Sequence, residues 1–92
     1  MTIQASITAD RLQQTVTETC RAVRRAFGCD FAGIRARPFE SRSFSGARIE
    51  LQATADLPHI DDAFDFPAVR GSIVADFHVS GRTLNLLLVN DA

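Results

Sequence analysis

The sequence predicts an α+β fold: one N-terminal helix packed on a four-stranded antiparallel sheet, in the order α-β-β-β-β. Three observations carry this. Apolar residues recur at helical spacing once, over residues 9–27. Alternating stretches follow, over 31–37, 47–54, 72–79 and 83–89. Glycine, proline and polar clusters separate them. Ninety-two residues make a single domain, 1–92, with one core.

The helix is read from Leu12, Val16, Thr19, Cys20, Val23 and Phe27, which form one apolar stripe. Ser6 or Thr8 is placed to cap it, and Asp10 faces the positive end of the helix dipole. Arg21, Arg24 and Arg25 crowd the last turns, where the dipole favours cations. Gly28 suits the left-handed residue that ends a helix.

The first strand, Phe31–Arg37, sets Ala32, Ile34 and Ala36 against Phe31, Arg35 and Arg37, and Pro38 is expected to close it. After a polar loop, Ala47–Thr54 alternates with Ala47, Ile49, Leu51 and Ala53 inward. Ser72–Val79 places Ile73, Ala75, Phe77 and Val79 opposite Val74, Asp76 and His78. Ser80-Gly81 marks a hairpin into Thr83–Val89. That last strand has Leu84, Leu86 and Leu88 on one face and Leu87 and Val89 on the other. A strand apolar on both faces is either central in its sheet or meets a partner. Asp56–Arg70 is long for a connection; a helical turn fits Asp61–Phe64. Ile3, Ala5 and Ile7 form a short alternation that would add an edge strand.

Composition limits the functional classes. Residues 1–48 carry eight arginines and four acids; residues 49–92 carry two arginines and seven acids. The net charge of −1 therefore conceals a dipolar chain. All basic residues are arginine, whose forked guanidinium suits carboxylates and phosphates. There is no apolar run of membrane-spanning length and no signal-peptide pattern, so a cytoplasmic protein with no membrane partner is expected.

No motif supports catalysis, and an enzyme is not expected. Cys20 lies on the apolar helix stripe and reads as core. Cys29 is too far along the chain for a disulfide without melting the last helical turns. Asp76 and His78 share a strand face, but no nucleophile stands in a recognisable setting beside them. His59, Asp61, Asp62 and Asp65 match neither a calcium loop nor a zinc motif. No metal and no cofactor are expected.

Two segments point to binding. In the first, Asp56, Asp61, Asp62 and Asp65 interleave with Phe64 and Phe66. The acids form a negative ridge and the rings supply anchors for a basic partner surface. The second is the arginine group Arg21, Arg24, Arg25, Arg35 and Arg37, the alternative site for nucleic acid. A homodimer joining basic and acidic halves is a further use of the charge split.

In general character the chain resembles small phage-encoded inhibitors such as anti-CRISPR proteins. The likeness is one of size, class and acidic face, and no individual residue is carried over. The expectation is a non-catalytic inhibitor that occludes a basic surface on a larger protein or nucleoprotein complex. One alternative is a structural component of a phage or other assembly, since a helix followed by a β-meander resembles tail and connector proteins in outline. The other is a nucleic-acid-binding accessory protein.

Overall fold

The computed structural model of the protein describes residues 9–58, 60, 66 and 68–90. They form α1 (Ala9–Phe27), β1 (Phe31–Glu40), β2 (Ser45–Ala53), β3 (Ser72–Ser80) and β4 (Thr83–Asn90). This is the expected α-β-β-β-β order, one helix on one antiparallel sheet. The segment with Ile3, Ala5 and Ile7, the caps Ser6 and Thr8, and the turn at 61–64 lie outside the described residues.

α1 buries Thr15, Thr19, Cys20, Ala22 and Val23. The two threonines enter the core because each hydroxyl donates back to the carbonyl one turn earlier. Thr15 Oγ1 lies 2.9 Å from Arg11 O and Thr19 Oγ1 2.7 Å from Thr15 O. Gly28, at φ 66°, ends the helix, and its N–H donates to Arg24 O at 2.7 Å.

The sheet order is β1-β2-β4-β3, so the strands do not form the expected meander. The long connection after β2 carries the chain past one strand position to the far edge. The β3–β4 hairpin then returns β4 to the centre, beside β2. Central placement answers half of what the doubly apolar β4 requires. Gly81-Arg82 forms the hairpin loop, one residue later than expected. Only Gly81 has positive φ there, 62°, as a type II′ turn requires.

Both edge strands carry a bulge, and each corrects a face assignment. In β1 the register shifts between Phe31 and Gly33, so Phe31 stands opposite Ala53 and faces the helix side, not the side of Arg35 and Arg37. In β3 the shift lies between Val74 and Asp76. Val74, Phe77 and Val79 therefore share the helix side, while Ile73 turns to the other face. At that bulge Phe77 N–H donates to Asp76 Oδ1 at 2.9 Å. β1 also runs through Pro38 to Glu40. An edge strand tolerates proline because its outer N–H has no ladder partner to lose.

The core lies between the sheet and its cover. Ala47, Ile49 and Leu51 of β2 and Leu84 and Leu88 of β4 are fully buried beneath Val23. The helix lies chiefly over β1 and β2. The connection covers the remainder, with Val69 buried and Leu57 and Phe66 packed on the cluster. Arg11 fastens the helix start to the connection's end through Gly71 O, at 2.6 Å. Leu57 N–H donates to Gly81 O at 3.1 Å and fastens the other end.

Candidate functional site

The face of the sheet away from the helix holds an open concavity of about 410 Å³. Among the described residues it is lined by strand residues alone. Register sets its chemistry, because residues paired across strands share a face. Three rows cross the sheet in the order β1, β2, β4, β3. The first, beyond the lining of the concavity, is Phe39, Gly46, Val89, Ile73. The second is Arg37, Arg48, Leu87, Asp76. The third is Arg35, Glu50, Asn85, His78.

The first row is apolar on a face that the described residues do not cover; Ile73 is 54% exposed, Phe39 and Val89 are half-buried and Gly46 is buried. The second places two guanidiniums directly opposite each other, an arrangement that repels. The Arg48 guanidinium stacks over the Phe39 ring at 5.0 Å. Among the described residues, no carboxylate lies within ion-pair distance of Arg35, Arg37 or Arg48. The face is therefore cationic toward β1, apolar at one end, and acidic at Asp76 on β3.

The arginine group predicted from the sequence does not form one surface. Arg35 and Arg37 lie on the open face. Arg21, Arg24 and Arg25 lie exposed on α1, across the sheet from them. Arg21 Nη1 lies 3.4 Å from Glu18 Oε1, and Arg24 Nε lies 3.2 Å from Asp30 Oδ1. Arg24 also sits 5.9 Å from the centre of the Phe31 ring.

Of the acidic segment, Asp61, Asp62, Phe64 and Asp65 lie outside the described residues. Asp56 accepts from Arg82 Nε at 3.1 Å. Both side chains are largely exposed, so this pair contributes little to stability. Phe66 is half-buried between Phe27, at 6.3 Å edge-to-face, and Phe77, at 5.4 Å.

Among the described residues, no group of three or more His, Cys, Asp or Glu side chains could hold a metal ion. No helix among them is long and apolar enough to cross a membrane. His59 lies outside the described residues. Both cysteines are free thiols.

Burial raises the pKa of the Cys20 thiol above its ordinary 9.0, with the nearby Arg24 charge opposing in part. The folded state thus disfavours the Cys20 thiolate. Its contribution to stability is full below pH 9 and is lost as pH rises above it. At pH 8, iodoacetamide is expected to label Cys29 in the native protein and Cys20 only after denaturant is added. Mass mapping that finds equal labelling of both in the native state would contradict Cys20 as core.

Sequence reasoning singled out Arg35 and Arg37 on this face and passed over Phe39 and Ile73. The signal that reaches them is cross-strand pairing, with Leu87 and Val89 as its trace within one strand. Comparison of the chain with protein-family models, with curated proteins and with solved structures finds no match.

Proposed function

We propose that this chain is a non-catalytic protein-contact module that works through the open face of its sheet. The observation that carries this is the row Phe39, Val89 and Ile73 beside Leu87, on a face that the described residues leave uncovered. An antiparallel sheet with one solvated face normally makes that face polar. An apolar row rimmed by arginines and an acid instead resembles a contact surface, with an apolar centre and a charged rim.

Occlusion of a partner and assembly both need such a surface. The open face serves either better than the aspartate segment does, because Asp56 is occupied by Arg82 and Phe66 packs inward. Nucleic acid is less favoured. The cations of the face share one concavity with Glu50 and Asp76, and a polyanion would be repelled by both acids.

A photo-reactive phenylalanine tests the proposal when placed at Leu87 on the face and, separately, at Arg21 on the helix. In the producing cell, position 87 is expected to cross-link to protein and position 21 is not. Cross-links from position 21 alone, or from neither, would overturn the proposal.

A further inference from the structure

Resting on that reading of the open face, we infer that its occupant is a second copy of this chain. The copies sit face to face about a two-fold axis parallel to the strands.

The order within the rows sets which residues would meet. Rotation by half a turn about such an axis turns the face over, keeps each row at its own height and reverses its order. In the apolar row, Ile73 of one copy then covers Phe39 of the other. In the charged row, Asp76 covers Arg37, and Leu87 covers the aliphatic stem of Arg48.

The repulsion between Arg37 and Arg48 is thereby relieved by the acid of the second copy. Because the contact is isologous, each pairing occurs twice. In the third row Arg35 covers His78 and Glu50 covers Asn85, so it sets no acid on an acid and no guanidinium on a guanidinium.

A two-fold axis across the strands gives no such match. It lays β1 over β1 and so adds cations to cations. It also carries the apolar row away from its like. The favoured axis keeps the strand directions of the two sheets aligned, the ordinary geometry of packed sheets once twist is included.

The face is of modest size. Four strands ~4.8 Å apart and about eight residues long, at ~3.3 Å each, give a footprint of roughly 500 Å² per copy. Two such faces together stand near the ~1,000 Å² lower bound of specific interfaces. The dimer is therefore concentration-dependent and exchanges with monomer.

Sedimentation equilibrium over a wide concentration range tests this with charge reversal. The native chain is expected to show a monomer–dimer equilibrium that weakens with salt. Asp76→Arg alone, and Arg37→Asp with Arg48→Asp, are each expected to weaken self-association at least tenfold. An equimolar mixture of the two variants is expected to restore dimers, because both contacts are again of opposite sign. Asp76→Asn keeps an acceptor for Phe77 N–H and removes only the charge; it is expected to weaken the dimer several-fold. Circular dichroism melting verifies that each variant folds.

Where a reversal variant does not fold, a photo-reactive residue at Ile73 of the otherwise native chain decides. It is expected to join the peptide bearing Phe39 of another, isotopically labelled copy. A native chain that remains monomeric at millimolar concentration overturns the inference. So do reversal variants that dimerise as the native chain does, and folded variants that fail to restore dimers when mixed. Cross-links from the face to a different protein only would overturn the second copy while leaving the contact-face reading standing. The absence of any contact from the face would remove both.

Discussion

Replacement of Gly46 by alanine is expected to cost about 3 kcal/mol of stability, a large share of the ~5–14 kcal/mol typical of a domain this size. Gly46 is buried in β2 opposite Val89 of β4. A Cβ at this position would collide with the Leu88 carbonyl oxygen and approach Val89 Cα to 2.7 Å. These are backbone atoms of a central strand, so no side-chain rotation relieves the contact. Either β2 or β4 must move, and Leu88, which is fully buried, moves with it. Gly33 provides the comparison. It too lies in a strand, but its Cβ would meet only the Gln52 side chain, at 3.8 Å. Gly33→Ala is expected to be near neutral. Urea denaturation of both variants distinguishes them by midpoint at a common slope. Equal losses would mean that general strand flexibility sets the cost, and not the close approach of two backbones.

That contrast also marks what the sequence made legible. The helix bounds were readable because the apolar recurrence stops at Phe27 and a glycine follows. β2 was readable because every second residue is apolar, with polar residues between. The edge strands were readable as strands but not as faces. A bulge adds one residue without changing composition, and it reverses the side on which neighbours lie. Ile73 and Val74 are both apolar, so either register satisfies local alternation, and only pairing with β4 decides. Strand order was half-visible in Leu87 and Val89, which signalled a central strand. The connection's length allowed the crossover without requiring it.

The functional surface was less legible, for a related reason. Arg21–Arg25 and Arg35–Arg37 are close in sequence, but the sheet stands between them. Arg37, Arg48 and Asp76 are far apart in sequence and occupy one row. A surface assembled across strands becomes visible only when the register is known. Of the segment from Asp56 to Phe66, residues 56–58, 60 and 66 are described. Its acids and rings lie close together in the chain and suggest one ridge. In the fold Asp56 turns to Arg82 while Leu57 and Phe66 close the core that α1 leaves open over β3 and β4.

Phe66→Ala decides between those two accounts of the segment and is expected to cost about 2 kcal/mol. Full burial of a phenylalanine makes its truncation worth ~3–5 kcal/mol, and Phe66 is half-buried. Its ring bridges Phe27 at the helix end and Phe77 on β3, and aromatic pairs of this kind contribute about 0.5–1.5 kcal/mol each beyond area. Loss of the ring therefore loosens the helix end and β3 together, because no other described ring joins them. Phe66→Leu retains most of the volume and is expected to recover more than half of the loss. An anchor for an external partner behaves differently: its truncation leaves the denaturation midpoint unchanged and lowers affinity alone. A stable Phe66→Ala protein would return this segment to the surface as a contact element. An unstable one, rescued by leucine, assigns this ring to the core and leaves the open sheet face as the surface proposed for a partner.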